Sequence, residues 1–152
     1  MTNPSPADPL GQHAIAFFRA LSVHRLDLVD DFYAVDVHFE DPMVSLDGRD
    51  RMRSYYAQVY RNDPALRWEF PEVIGDPPSR SRGMVWIMHM QVDGLNGGRP
   101  ISVPGMSRLI FDDDDRCIFH RDYFDMGAFV YENVPVLRNV VGYVKKKLHG
   151  EF

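Results

Sequence analysis

The chain has one cysteine, Cys117, in 152 residues. That excludes an internal disulfide framework and any zinc site built on paired thiolates, and it points to a reducing, cytoplasmic setting. Cys117 reads as a small apolar residue. Basic side chains are also short in number: 17 lysines and arginines against 22 aspartates and glutamates give a formal net charge of -5. Surfaces that neutralise phosphates need the opposite sign, so nucleic acid is not an expected partner. Long apolar runs are missing. No stretch approaches the roughly 18 residues that span a bilayer, and Met1-Thr2-Asn3-Pro4-Ser5-Pro6 lacks the basic segment and apolar core of a secretion signal. No internal repeat or low-complexity segment is visible. What is present is 45% hydrophobic residues, 12% of the chain being aromatic, enough for one sizeable core and one domain.

The order of patterns predicts an α+β domain. Residues 1–9, rich in Pro, Ser and Asp, read as a flexible lead. Helical spacing then begins near Gln12 with Ile15, Phe18 and Leu21, and resumes with Leu26, Val29, Phe32 and Tyr33. Val37-His38-Phe39 reads as a strand, Met43 to Gly48 as a loop, and Arg49 to Asn62 as a third helix stopped by Pro64. From Leu66 the period falls to two, giving strands over 67–74, 83–92, 101–111 and 116–124. The turns between them are Gly75-Asp76-Pro77-Pro78-Ser79, Asp93 to Gly98, and the acidic Asp112 to Asp115. Helices followed by hairpin-linked strands imply an antiparallel sheet. Residues 10–126 form this domain, and 127–152 form a C-terminal helical extension whose stripe, Leu137, Val140, Val141, Val144 and Leu148, ends beside Lys145-Lys146-Lys147. That stripe is expected to pack on the domain or on a second subunit; a membrane surface is the less favoured partner.

Glu40-Asp41-Pro42 places a carboxylate at the end of an apolar strand. The whole stretch Phe32-Tyr33-Ala34-Val35-Asp36-Val37-His38-Phe39-Glu40-Asp41-Pro42 resembles the helix end, strand and base segment of ketosteroid isomerases and their SnoaL-like relatives. A second likeness runs from Ser107 to Asp125 around Leu109-Ile110-Phe111-Asp112. These proteins belong to the nuclear transport factor 2-like superfamily. The resemblance therefore implies a cone-shaped fold: a strongly curved antiparallel sheet, N-terminal helices, and here an extra C-terminal helix.

The resemblance also implies site residues. Asp41 stands where the isomerase base carries a proton between carbons, a group whose tuning is a worked example of that chemistry. The local alternative is an Asp that caps its own loop. Alternation places His120, Asp122 and Phe124 on the concave face, with Ser107 and Leu109 on the neighbouring strand and Trp86, Met88 and Met90 on another. Tyr55 and Tyr56 fall at pocket positions, Tyr60 less so. Phe17 and Ser107 occupy the places of the isomerase's oxyanion donors, and neither can reproduce them, so steroid isomerisation is set aside. In exchange, His120 and Asp122 form an acid/base pair similar in kind to that of SnoaL-like cyclases. Asp41, His120 and Asp122 are expected to converge on one hollow.

The preferred reading is a cofactor-independent acid/base enzyme of isomerase, cyclase or dehydratase type, acting on a small apolar carbonyl compound. The alternative is a non-catalytic ligand-binding or dimerisation module. No metal is expected: the other histidines lie at unlike phases, and Asp112 to Asp115 lacks the spacing of a calcium loop. An epoxide hydrolase site of Asp-Arg-Asp type finds no equivalent, because Arg108 and Arg121 fall on the outward phase. A homodimer through the sheet is expected.

Overall fold

The computed structural model describes residues 8–61 and 65–149. The chain starts with α1 (Pro9–Ala20) and α2 (Leu28–Phe32), which lead into β1 (Tyr33–Glu40). A short β2 (Ser45–Asp47) precedes α3 (Arg49–Val59). The long strands follow: β3 (Arg67–Ile74), β4 (Ser81–Met90), β5 (Ile101–Phe111) and β6 (Cys117–Phe124). The chain closes with α4 (Met126–Phe129) and α5 (Pro135–His149).

The six strands form one open sheet in the order β2-β1-β6-β5-β4-β3. The sheet is mixed. β1 and β6 run parallel, while every other pairing is antiparallel. Hairpins dictate antiparallel neighbours from β3 to β6, but β1 reaches β6 across most of the chain, and local turn chemistry cannot set its direction. β2 lies inside the expected loop, with Leu46 opposite Phe39. Three residues are too few for a period to show. The expected Pro64 stop lies outside the described residues.

α1 begins earlier than the sequence pattern suggests, so the lead does not extend to residue 9. The Asp8 side chain accepts the Gly11 amide and Pro9 occupies the first turn, both favourable at a helix start. The same carboxylate pairs with Arg82 of β4 through Nε and Nη2, each at 2.8 Å, and the Arg82 side chain is 1% exposed. Arg82 also donates to the carbonyls of Ser79 and Ser81. One ion pair thus pins the helix start to the sheet. Leu10, Ala14, Ile15, Phe17 and Phe18 are buried at helical spacing, and Phe17 stacks on Phe32 at 4.0 Å between ring centroids.

At the other sheet edge, His38 bridges two carboxylates, Nδ1 to Asp47 at 2.6 Å and Nε2 to Glu40 at 2.9 Å. These bonds, with Asp47 the larger contributor, hold its pKa above the ordinary 6.5. The folded chain therefore binds this proton more tightly than the unfolded chain. The stabilisation is complete below the unfolded value and is lost as pH rises through the folded one. Because the bridge is open to water, we expect His38→Gln to lower stability by about 0.2–1 kcal/mol at pH 5.5 and by almost nothing at pH 8.5. Urea titrations of the two proteins at both pH values measure this; an equal loss at both would contradict the bridge.

α5 keeps most of its stripe in solvent: Val140 is 55% exposed and Leu148 77%, and only Val141 is half-buried. Packing against the domain is therefore not what holds this helix. Among the described residues no helix is long and apolar enough to cross a membrane.

Candidate active site

The helices and the sheet enclose a cavity of about 200 Å³. An engineered cavity of about 150 Å³ accepts benzene, so this one suits a single substituted ring. Its walls follow from strand alternation. Trp68 and Phe70 project from β3, Trp86, Met88 and Met90 from β4, Ser107 from β5, and Asp122 and Phe124 from β6. Phe18 of α1 and Tyr55, Tyr56 and Tyr60 of the α3 segment add to the wall, with Met43, Val59, Leu66, Val92 and Phe129 around them. Trp86 lies flat over Gly105, where an added Cβ would stand 2.2 Å from the indole. That glycine gives the ring its seat.

Asp122 is the only carboxylic acid among the described lining residues, and no lysine, arginine or histidine joins it there. Its surroundings fix its orientation. The Trp86 indole N–H donates to Ser107 Oγ at 2.8 Å, which directs the Ser107 proton to Asp122 Oδ1. His120 Nε2 lies 2.7 Å from the same oxygen and donates to it. Oδ1 is thus held twice, while Oδ2 makes no hydrogen bond among the described residues. His120 is 1% exposed and stands behind Asp122. Its Nδ1 meets the Tyr33 hydroxyl at 2.8 Å, and Tyr33 meets the Tyr56 hydroxyl at 2.9 Å. With the imidazole neutral, Nδ1 accepts from Tyr33 and Tyr33 accepts from Tyr56. Burial pushes both phenols far above their ordinary pKa, so they remain protonated.

Asp41 is placed differently from expectation. Oδ1 accepts the amides of Met43 and Val44 at 2.7 and 2.8 Å, an Asx cap on its own loop. Oδ2 accepts the Tyr55 hydroxyl at 2.8 Å. Both oxygens are engaged, and Asp41 is not among the residues lining the cavity. Tyr55 links the two carboxylates electrostatically: burial, then Asp41, then more weakly Asp122, drive its pKa upward. The three expected groups therefore do not share one hollow. Asp122 reaches it, His120 supports from behind, and Asp41 stands behind Tyr55. Among the described residues no three His, Cys, Asp or Glu side chains are grouped as a metal site.

Of the other expected lining residues, Tyr55, Tyr56, Trp86, Met88, Met90, Ser107 and Phe124 lie at the cavity. Phe17 and Leu109 do not. Phe17 turns toward α2, and its neighbour Phe18 faces the cavity in its place, one residue on from the aligned position. Leu109 pairs with His120 in the sheet and is 0% exposed, in the core below the cavity. Trp68 and Phe70 were legible from period two on a correctly bounded strand, with Trp68 opposite Met88. Tyr33 was not. It read as the end of a helix, and the irregular register between Tyr33 and His38 breaks the alternation that would have turned it inward. Arg108 and Arg121 point outward, over the rings of Phe119 and Tyr123.

Solved structures share this architecture at low sequence identity. A protein from Shewanella putrefaciens assigned as a SnoaL-like polyketide cyclase superposes with TM-score 0.69 at 17% identity, over 84% of this chain and 86% of that one. A protein from Acidithiobacillus ferrooxidans assigned as a polyketide cyclase gives 0.70 at 17%, covering 90% and 99%. An epoxide hydrolase of the LEH-like type from M. tuberculosis gives 0.64 at 18%, covering 88% and 93%. Comparison with curated protein sequences finds no match. The model of the SnoaL-like domain matches residues 14–120, more than half of the sequence. The chain belongs to the SnoaL-like domain family.

Proposed function

We propose that the protein is a cofactor-independent acid/base enzyme acting on a small apolar carbonyl compound of about one ring, with Asp122 as its base. The observation that carries this reading is the Asp122 carboxylate: Oδ1 is anchored by Ser107 and His120, and Oδ2 is left unbonded at an aromatic cavity. A carboxylate so oriented removes a proton from carbon beside a carbonyl and returns it to the same or another carbon. His120 acts through Asp122, as a positioning residue that keeps the carboxylate aimed. With no cation in the described wall, substrates bearing a carboxylate or phosphate are disfavoured.

Solvent exchange tests this without knowledge of the natural substrate. In D2O the protein should speed deuterium incorporation next to the carbonyl of single-ring ketones such as 2-cyclohexenone, read by proton NMR. If no ketone of this size exchanges faster than in buffer, the module is a binding protein.

The outer face of the sheet supports a homodimer as a second element of the proposal. Tyr123 is 47% exposed, and Met106, Ile110 and Phe119 are half-buried beside Arg108 and Arg121. Aromatic, Met and Arg side chains are the types enriched at interface cores. Light scattering at micromolar concentration should give twice the monomer mass, and Tyr123→Glu should give the monomer. A monomeric native chain would remove the dimer.

A further inference from the structure

An acid/base enzyme of this kind must also stabilise the oxygen on which charge collects, and the positions aligned with the isomerase donors hold Phe17 and Ser107. The cavity wall has four hydroxyls among the described residues: Tyr55, Tyr56, Tyr60 and Ser107. Three are committed. Tyr55 donates to Asp41, Tyr56 is bonded to Tyr33, and Ser107 accepts from Trp86 and donates to Asp122. The Tyr60 O–H donates to no acceptor among the described residues; the Trp68 indole N–H is the hydrogen-bonding group beside its oxygen. Tyr60 is 5% exposed, at the end of α3, and burial raises the pKa of its phenol, which keeps the proton in place to donate.

A second observation concerns Trp68. Its indole N–H is shielded from water and has no partner within hydrogen-bond geometry. An N–H left in that condition costs about 1–3 kcal/mol, and such a group calls for an explanation. Its neighbour is the Tyr60 hydroxyl: the contact falls outside ordinary hydrogen-bond geometry, yet the N–H acts on that oxygen as a donor and opposes the upward pKa shift of the phenol.

We infer that Tyr60 is the hydrogen-bond donor to the substrate's carbonyl oxygen, with the Trp68 indole N–H behind it completing its bond as charge develops. This assignment rests on the acid/base reading above and deepens it by naming where the oxygen sits. The step balances within the site. Asp122 Oδ2 takes the proton from the α-carbon, the C–H electron pair forms the enolate double bond, and the carbonyl electrons move onto oxygen. The Tyr60 O–H donates to that oxygen, and the Trp68 N–H donates to the Tyr60 oxygen, which becomes a stronger acceptor as its own proton is drawn away. The path between the two ends of the site is also on hand: Trp68 stands 5.3 Å from Trp86, ring to ring and nearly perpendicular, and Trp86 bonds Ser107, which bonds Asp122. Base and donor are therefore linked through a pair of indoles in the cavity wall.

Two variants and two readouts test it. Tyr60→Phe should slow ketone deuterium exchange about a hundredfold, the loss expected for one oxyanion donor. Trp68→Phe should slow it about tenfold, as a partner acting through Tyr60. Tyr60→Phe should melt close to the native chain; Trp68→Phe also removes part of the cavity wall, so both effects are read as exchange rates at saturating ketone. Independently of turnover, the infrared carbonyl stretch of bound 2-cyclohexenone should lie well below its value in hydrocarbon, and should move back toward that value in Tyr60→Phe. A native-like stretch and exchange rate in Tyr60→Phe would overturn the assignment while leaving Asp122 as base. A lowered stretch that depends on Tyr60, with no exchange in any variant, would support Tyr60 and remove the enzyme reading. Failure of the cavity to bind any single-ring ketone would overturn both.

Discussion

Replacing Arg82 with leucine lowers the unfolding free energy by about 3–5 kcal/mol, the usual consequence of leaving a buried carboxylate without its partner. The reason is local. Asp8 and Arg82 are 8% and 1% exposed at their side chains, so water cannot replace the lost contact. The carboxylate would keep only the Gly11 amide, and β4 would lose the guanidinium that also satisfies the Ser79 and Ser81 carbonyls. For a domain that starts from about 5–15 kcal/mol, this is a large fraction of the total. The double variant Asp8→Leu/Arg82→Met should recover most of the loss, since an apolar pair of similar volume often matches a buried ion pair. It should still lack about 1 kcal/mol for the missing helix cap. Urea titration measures all three. A loss below about 1 kcal/mol in Arg82→Leu, the size seen for exposed pairs, would show that the pair does not tie α1 to the sheet.

Asp122→Asn should slow ketone deuterium exchange by about 10²–10⁴-fold, the range for loss of a positioned acid/base group. The amide keeps the shape and can still meet His120 and Ser107, but it cannot take a proton. Asp41→Asn should slow exchange less than about tenfold, because Asp41 acts on the cavity only through the Tyr55 hydroxyl. Its main effect should be on stability, through the loop cap it provides at Met43 and Val44. The two substitutions are chemically identical, so the difference between them isolates position. Equal losses would mean that the two carboxylates share the chemistry.

The long strands were legible because their signals are local. Arg67–Ile74 and Ile101–Phe111 follow from period two and flanking turns, and the same alternation carries His120 and Asp122 to the inner face. Asp41 shows where such reasoning stops. Its position at the strand end was readable, but not which atoms its oxygens would meet: the Asx cap depends on the path of residues 41–44, and the Tyr55 bond on how α3 docks. Phe17 and Phe18 differ by one step on a helix, and the rotation of α1 depends on tertiary contacts such as the Asp8–Arg82 pair, 74 residues apart in sequence. Tyr33 and the parallel β1–β6 pairing were hidden for the same reason. Tyr60 was ranked below Tyr55 and Tyr56 on position alone; the hydrogen bonds that commit the protons of those two tyrosines, and leave the Tyr60 proton without an acceptor among the described residues, become visible only in three dimensions.

The most direct measurement is a crystal structure with 2-cyclohexenone bound in the cavity. The α-carbon should lie about 3–3.5 Å from Asp122 Oδ2, the near-attack range, with the carbonyl oxygen turned toward Tyr60. A ring whose α-carbon faces Tyr55 and Asp41, or whose oxygen points at Asp122, would contradict the account.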